Sequence, residues 1–299
     1  MQTYEIDQKT IDAIAAAVED FGRCIDTSTE HGRVLCGTLI KAALPWDASP
    51  NWELRHKSPT DALLVDGLPA WQFVDQSHLE DIYQTVLLAS LRRGLPWAWS
   101  EQQAVFQRIR NREQYIEVGH APAGDPSMPH VGCSGSPVTA PETITLSVGA
   151  STDRVRVGWI DIGAMLEHMP ADLLQAAVDT SFQLGIRPEL HSLVRKDARD
   201  SRYQLTIGTA GVRASAEAST AAVAALEYLR ATSSERMTWV DLAPGQMLVL
   251  PNRFGQHAIQ SLVSGCAVHR TYWSRDLRVH RELASTGHPM LFDQARLND

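Results

Sequence analysis

Residues 244–257 read Pro-Gly-Gln-Met-Leu-Val-Leu-Pro-Asn-Arg-Phe-Gly-Gln-His, and Arg270 follows thirteen residues after the last of them, His257. The apolar run Met-Leu-Val-Leu predicts a short buried strand, and the Pro-Gly and Pro-Asn pairs on either side of it predict turns. The second turn leads to His257, and a further strand, predicted over 267–274, carries Arg270. Together these segments are expected to place one imidazole and one guanidinium on a sheet.

The sequence predicts which side chains share a face with Arg270 on its strand. Side chains alternate along a strand, so the residues that share the face of Arg270 are Cys266, Val268, Tyr272 and Ser274. An arginine buried among such neighbours requires an anionic partner. We therefore expect this face to bind an acid group.

The composition limits the classes of protein to which the chain can belong. Of its 299 residues, 44% are hydrophobic and 21% are charged, which is typical of a globular protein with a sizeable core. The net charge of -8, without a basic block, gives no electrostatic support to nucleic-acid or membrane binding, so we expect a small-molecule partner. No signal-peptide pattern or long apolar run is present, and the four cysteines lack Cys-x-x-Cys spacing. These features predict a cytoplasmic protein with free thiols.

The spacing of hydrophobic residues differs between the first part of the chain and the rest. Spacings of three and four residues predict helices over 10–23, 31–43 and 78–93, with a short buried strand at 63–65. In the rest of the chain, apolar and polar residues alternate, which predicts strands. Two helices, at about 162–180 and 219–231, are predicted among these strands. The predicted strands are 104–110, 114–119, 142–148, 154–160, 202–208, 236–241, 246–251, 257–263 and 267–274. The long loop between 119 and 140 has the length of a functional loop.

This order of elements predicts the fold class. Helices first and regularly spaced strands after them favour an α+β, mainly β protein. We expect a double-stranded β-helix (jelly roll) with an N-terminal helical buttress. A single domain would span 1–299, with 1–58 as the helical extension and 60–280 as the barrel core that contains the two helical insertions.

Four segments of the sequence carry a family resemblance. They are Leu-Leu-Val-Asp-Gly-Leu-Pro at 63–69, Pro-Trp-Ala-Trp-Ser-Glu-Gln-Gln at 96–103, the stretch 244–257, and His-Arg-Thr-Tyr-Trp-Ser-Arg-Asp at 269–276. Together they resemble the iron(II)/2-oxoglutarate oxygenases of the taurine dioxygenase and clavaminate synthase type. The resemblance covers roughly residues 60–280. It implies a jelly roll that binds iron and 2-oxoglutarate and oxidises a small substrate.

The resemblance also implies roles for individual residues. In the family, two imidazoles and a carboxylate hold Fe(II), and an arginine receives the distal carboxylate of 2-oxoglutarate as a bidentate pair. His257 corresponds to the distal iron ligand, and His130 is the best candidate for the first. Arg270 corresponds to the 2-oxoglutarate anchor by its distance from His257. Aligned instead by its neighbours, Arg270 becomes a second, substrate-binding arginine and Cys266 occupies the anchor position.

One departure from the family pattern bears on the reaction. The family's carboxylate stands two residues after the first histidine, and here that residue is Gly132. In the halogenases of the family the position is Gly or Ala, and the vacated site takes chloride. His130-Val131-Gly132 therefore resembles a halogenase, which implies Fe(II), 2-oxoglutarate and chloride as cofactors and favours C–H halogenation over hydroxylation.

The remaining correspondences concern the substrate and leave other functions open. Gln103 would line the substrate pocket, and the run from Cys133 to Ser136 has an alternative match to a serine-rich substrate loop, with Ser134 and Ser136 as contacts. The segment with the first iron ligand would then be missing. The main hypothesis is an oxidative tailoring enzyme for a small polar, amino-acid-like substrate. Its alternatives are a diverged member with non-oxidative chemistry at a histidine, Arg270 and either Cys266 or Cys133, and a protein that only binds a ligand.

Overall fold

The structure is a computed structural model that describes residues 1–44, 61–69, 82–87, 95–99, 106–109, 141–148, 154–184, 190–196, 202–206, 212–260, 268–274 and 291–292. Its helices are α1 (Gln8–Gly22), α2 (Glu30–Ala43), α3 (82–87), α4 (Ile162–Leu166), α5 (Ala171–Val178) and α6 (Thr220–Arg236). Within these ranges, no helix is both long and apolar enough to cross a bilayer. The predicted strand 114–119 and the loop 119–140 lie outside the described residues.

The described strands are numbered along the chain. They are β1 (Gln2–Glu5), β2 (Leu63–Asp66), β3 (Leu95–Trp99), β4 (Phe106–Ile109), β5 (Thr143–Val148), β6 (Val155–Asp161), β7 (Phe182–Leu184), β8 (Leu190–His191), β9 (Val194–Lys196), β10 (Tyr203–Leu205), β11 (Val212–Ala214), β12 (Thr238–Leu242), β13 (Met247–Leu250), β14 (Gly255–Ile259), β15 (Val268–Ser274) and β16 (Leu291–Phe292).

Two sheets carry the fold. The larger has the order β1-β2-β13-β5-β15-β3-β16, with β4 also paired to β15, and the smaller has the order β12-β6-β14. Strands β9 and β10 form a separate pair, and β7, β8 and β11 a further small sheet. The central strands of both main sheets pair antiparallel. Neighbouring strands of the larger sheet come from distant parts of the sequence, so its order depends on long-range contacts.

An apolar core lies between the two main sheets. Alternate residues of each strand point into it, and Leu146 and Leu248 of the larger sheet meet Val157 and Ile259 of the smaller one. All four side chains are at most 1% exposed. Burial of an aliphatic side chain of this size contributes about 1.5–3 kcal/mol, so this layer is a main source of stability.

Helices cover the outer faces of both sheets. Ile14, Ile40 and Ile82 of α1, α2 and α3 pack with Met247 and Trp273 on the larger sheet. On the smaller sheet, α4 to α6 cluster with side chains of β6 and β14. The N-terminal helices predicted from the apolar spacing are therefore confirmed at 8–22 and 30–43, and part of the third at 82–87.

Several predicted boundaries were wrong for identifiable reasons. The helix predicted over about 162–180 is two helices, α4 and α5, because Pro170, the N-cap of α5, has no backbone N–H to donate inside a continuous helix. The strand predicted over 236–241 begins at Thr238, because α6 continues to Arg236.

The strand predicted over 257–263 begins at Gly255, because Gly255 and Gln256 already pair with β6. The helix predicted to end at 231 continues to Arg236. Its last turn contains weak helix formers, but Ser233 is fully buried there and its hydroxyl lies 3.0 Å from Oε1 of Gln256. This tertiary contact outweighs the local helix propensity.

A buried polar cluster joins α3 to the larger sheet. The side chain of Gln84 is 1% exposed, and its Oε1 accepts hydrogen bonds from the hydroxyls of Thr145 at 3.2 Å and Thr271 at 3.5 Å. Its Nε2 donates to Oγ of Ser147 at 3.0 Å. The indole of Trp273 donates to the same Thr145 hydroxyl at 3.3 Å. One amide therefore links strands β5 and β15 to the helix above them.

Replacing Gln84 with leucine is expected to lower the free energy of unfolding by about 2–3 kcal/mol, because buried hydroxyls lose a partner in a water-free layer. Urea denaturation measures the change. Gln175→Leu is the matched control, since Gln175 is exposed and its side chain donates to Oδ1 of Asp179 at 3.1 Å on the helix surface. Its effect should stay within about 0.5 kcal/mol. Equal effects of the two substitutions would contradict a structural role for the cluster.

Candidate functional site

The predicted turn before β13 is present and is fixed by a glycine. Gly245 has a φ of +85°, a conformation that side chains other than glycine rarely adopt, and its carbonyl accepts a hydrogen bond from the amide of Leu68 at 2.9 Å. A Cβ at this position would lie 2.8 Å from the carbonyl oxygen of Leu68. The turn therefore holds β13 against the segment that follows β2.

The second turn, between β13 and β14, is clamped from several sides. Asn252 is 1% exposed, its side-chain amide donates to the carbonyl of Pro141 at 2.9 Å, and its backbone amide donates to that of Glu142 at 3.0 Å. The carbonyl of Phe254 accepts from the amide of Ile162 at 2.7 Å. This turn fixes where β14 begins and ties it to the start of β5 and of α4.

His257 lies in the middle of β14 and faces the core between the sheets. It pairs with Trp159 of β6, and two residues later Ile259 pairs with Val157. Directly paired residues share a face, and Ile259, Val157 and Trp159 all belong to the inner core. The imidazole is 1% exposed, so bulk water is excluded from it. The prediction of a buried inward histidine after the turn is confirmed.

Arg270 occupies the matching place on the larger sheet. It pairs with Leu146 of β5, and its neighbours of the same face, Val268 and Tyr272, are buried in the inner core. Its guanidinium carbon lies 5.0 Å from the centre of the Tyr272 ring, which is the distance of a cation–π contact. Arg270 is half-buried. The predicted face of β15 is therefore the inner face of the sandwich.

These two residues are thus directed from opposite sheets into one interior. His257 belongs to the smaller sheet and Arg270 to the larger, and both lie on the faces that enclose the core. A metal ion at an imidazole and an acid group at a guanidinium could occupy such a space together. A buried imidazole is a suitable donor for iron(II), and the guanidinium suits a carboxylate. The described residues thus supply one imidazole and one guanidinium of the set that the resemblance implies for iron and 2-oxoglutarate.

The second iron ligand was predicted on the segment that precedes β5. His130, Gly132, Ser134 and Ser136 lie outside the described residues, as do Gln103 and Cys266. Pro141, the first described residue after that segment, is bonded to Asn252 in the turn before β14. The chain therefore enters β5 at the same end of the sandwich at which it enters β14. Within the described ranges, no three His, Cys, Asp or Glu residues form a group that could hold a metal.

A pair of polar side chains supports β14 from behind. Gln256 and Ser233 are both fully buried, and the Ser233 hydroxyl lies 3.0 Å from Oε1 of Gln256 and 2.6 Å from the carbonyl of Leu229. A hydroxyl has one hydrogen, so both contacts are hydrogen bonds only when the amide nitrogen of Gln256 faces Ser233. The pair ties α6 to the residue next to His257.

Three residues of this site were not predicted from the sequence. Trp159 was given no role, yet it is the direct neighbour of His257 in the sheet. Asn252 was treated as part of a turn, although an asparagine after proline between two apolar strands signals a clamp of this kind. Ser233 carries no signal, because one serine among Thr-Ser-Ser-Glu-Arg at a helix end looks solvated.

No protein-family model matches the chain, and no curated protein matches it. Solved structures do match it. Asparagine oxygenase in complex with Fe(II), 2S,3S-3-hydroxyasparagine and succinate has a TM-score of 0.71 and 15% identity, covering 94% of this chain and 96% of that one. The non-heme iron oxygenase OrfP with Fe, succinate and (3S)-hydroxy-L-Arg has a TM-score of 0.71 and 15% identity, covering 97% and 99%.

A further structure of OrfP, with Fe and L-homoarginine, has a TM-score of 0.69 and 14% identity over the same shares of the two chains. The chain is therefore similar to non-heme iron oxygenases over nearly its whole length. The resemblance inferred from four short segments is confirmed at the level of the fold. Identity this low carries no residue roles with it, so those depend on the geometry above.

Proposed function

We propose that this protein is a non-heme iron(II)/2-oxoglutarate-dependent oxygenase that oxidises a C–H bond of a small, polar, amino-acid-like substrate. The observation that carries the proposal is the placement of His257 and Arg270 on opposed inner faces of the sandwich. The fold shared with iron oxygenases supports it over a non-oxidative or purely ligand-binding function. The architecture would be a one-domain jelly roll with an N-terminal helical buttress, and the location cytoplasmic.

Each residue of the site has its own proposed role. His257 and His130 would hold the iron, and Arg270 would receive the distal carboxylate of 2-oxoglutarate. Bound iron(II) with 2-oxoglutarate supplies the oxidising power for attack on an unactivated C–H bond when oxygen is present. Trp159 and the aliphatic core around His257 keep water away from the site. The stacked Tyr272 ring restricts the guanidinium of Arg270 to a few orientations.

The substrate class follows from the neighbours. The asparagine oxygenase structure contains 3-hydroxyasparagine, and structures of OrfP contain L-Arg, (3S)-hydroxy-L-Arg or L-homoarginine. We propose an α-amino acid or a compound that carries its amine and carboxylate. Gln103, Ser134, Ser136 and Cys266 are the proposed substrate contacts.

The fate of the substrate depends on Gly132. A glycine in place of the family's carboxylate leaves a ligand position for chloride, which favours chlorination. The proposal therefore includes chloride, bound at the site together with Fe(II) and 2-oxoglutarate. Mass spectrometry of products formed with and without chloride distinguishes a mass gain of chlorine from a gain of oxygen.

Anaerobic addition of Fe(II) and 2-oxoglutarate to the protein is expected to produce a weak visible charge-transfer band, and oxygen should then convert 2-oxoglutarate to succinate. A panel of amino acids identifies the substrate as the compound that accelerates succinate formation. Zn(II) in place of Fe(II) is the control, because it holds the same ligands without redox chemistry. Absence of the band with both components in excess would overturn the proposed function.

A further inference from the structure

Polar side chains on the outer face of the larger sheet lie directly behind Arg270. Along β15, Arg270 stands between His269 and Thr271, which pair with Ser147 and Thr145 of β5. Successive residues of a strand point to opposite faces, so these two pairs face outward at the place where Arg270 faces inward. Contacts that fix the two pairs from outside therefore fix the backbone that carries the guanidinium inside.

The larger sheet is interrupted beside Arg270 on the side away from β5. On that side Thr271 pairs with Phe106 of β4, but the next residue, Tyr272, pairs with Trp97 of β3. In an uninterrupted antiparallel pair the partner would also change by a single residue. The hydrogen-bonded ladder is therefore broken between Thr271 and Tyr272, and the strand that pairs with β15 continuously across this point is β5.

This break falls between Arg270 and the ring that orients it. The guanidinium carbon of Arg270 lies 5.0 Å from the centre of the Tyr272 ring, and Thr271 is the residue between the two. A shift of Thr271 away from β5 would change the angle between Arg270 and Tyr272 and so turn the guanidinium on the ring. The orientation of Arg270 depends on how firmly Thr271 is held against β5.

Gln84 of α3 holds Thr271 against β5. Its Oε1 accepts from the hydroxyls of both Thr145 and Thr271, at 3.2 and 3.5 Å, and its Nε2 donates to Oγ of Ser147 at 3.0 Å. The indole of Trp273 donates to the Thr145 hydroxyl at 3.3 Å, which leaves the hydrogen of that hydroxyl for Gln84. All five side chains are at most 3% exposed, so bulk water does not compete for these hydrogen bonds.

We propose that Gln84 is a positioning residue for Arg270. By linking Thr145 to Thr271 across the interrupted part of the sheet, its amide sets the orientation of the guanidinium and hence the affinity for the acid group that Arg270 binds. The inference rests on the proposed function for that acid group, and it extends the function to a residue of a helix on the opposite face of the sheet.

The first test measures the KM that Arg270→Gln raises, whether that for 2-oxoglutarate or that for the amino acid. Gln84→Leu should raise the same KM by about tenfold and leave kcat within about threefold, because small displacements of a positioning group weaken binding strongly. The Fe(II) affinity should stay unchanged. In the Arg270→Gln background Gln84→Leu should have no further effect on this KM, since residues that act through one another are not additive.

Ile82→Ala is the matched control for lost stability. Ile82 is fully buried on the same helix and packs on the same face of the sheet, and its truncation removes no hydrogen bond of the polar cluster. It should leave the KM unchanged. Thr271→Val should raise the KM by about threefold, whereas Thr271→Ser should keep the native KM because serine retains the hydroxyl.

Hydrogen exchange of the β15 amides in the metal-free protein tests the positioning without turnover. Gln84→Leu should speed this exchange at least about tenfold more than Ile82→Ala does. Equal exchange in the two variants, equal effects of both on the KM, or an undiminished effect of Gln84→Leu in the Arg270→Gln background would overturn the inference. Absence of succinate formation by the native protein would instead overturn the proposed function, and the exchange result would then decide the positioning by itself.

Discussion

Replacing His257 with alanine is expected to abolish iron(II) binding and to lower substrate-dependent succinate formation by at least about 100-fold. Loss of a group that only orients a metal ligand typically costs about 10–100-fold in affinity or activity, so loss of the ligand itself should exceed this range. The imidazole is 1% exposed and faces the inner core, which leaves no room for water to replace it without cost. Anaerobic calorimetric titration with Fe(II) measures the first effect and succinate formation the second.

His168→Ala is the matched control for this substitution. His168 follows α4 on the surface, and its Nε2 lies 3.7 Å from Oε2 of Glu167. Its removal should change neither iron binding nor turnover. His257→Gln guards against a folding defect, because it retains a polar side chain of similar volume, and its thermal unfolding should remain close to that of the native protein. Turnover that survives His257→Ala in a folded protein would favour the non-oxidative alternative.

The parts of the fold that could be predicted are those with a strong local signal. Met247 to Leu250 is a continuous apolar run between two turns, and Thr143 to Val148 alternates cleanly, so both strands were placed within one residue of their observed ends. The helices α1 and α2 were placed within two residues of their observed ends, because the spacing of their apolar residues is regular. The local sequence pattern is sufficient to predict a helix or strand when one of its faces is wholly apolar.

The pairing of these strands could not be derived from local pattern. β13 lies between β2 and β5, whose sequence positions differ from its own by about 180 and 100 residues. The short strands β7, β8, β9 and β11, of two or three residues, were missed because the local pattern of so few residues is weak. The order of the sheets depends on contacts that no window of the sequence contains.

The residues of the candidate site also differ in how far the sequence could predict them. His257 and Arg270 could be predicted as inward residues because each stands on a strand with a readable period. Their opposition across the core could be expected only through the family resemblance, since it requires the register of two different sheets. The support of β14 by Ser233 was not predictable, because the helix end that carries it has neither apolar periodicity nor a motif.

Replacing Arg270 with glutamine is expected to raise the KM for 2-oxoglutarate by at least about 30-fold, without a change in iron affinity. Removing one partner of a buried, hydrogen-bonded charge pair costs about 2–5 kcal/mol, which corresponds to a factor of about 30 or more. Glutamine retains hydrogen-bonding capacity but loses the charge and the two parallel donors. The KM follows from succinate formation at varied 2-oxoglutarate, and the iron affinity from the same titration used for His257→Ala.

Two further variants separate charge from geometry. Arg270→Lys keeps the positive charge and loses the planar fork, so it should show an intermediate KM. Arg156→Gln is the matched control: Arg156 also lies over an aromatic ring, at 5.5 Å from the centre of Trp239, but it is exposed on the outer face of the smaller sheet. It should leave the KM for 2-oxoglutarate unchanged, which would show that stacking on a ring is not sufficient for the effect.

The same measurement decides between the two roles that the sequence leaves open for Arg270. If Arg270 binds the cosubstrate, its replacement raises the KM for 2-oxoglutarate while the KM for the amino acid changes little. If it binds the acid group of the substrate, the amino-acid KM rises and that for 2-oxoglutarate does not, and the correspondence that puts Cys266 at the anchor position is the correct one. In either case the expected partner of the guanidinium is an acid group, because the planar fork of an arginine suits a carboxylate and the Tyr272 ring orients it.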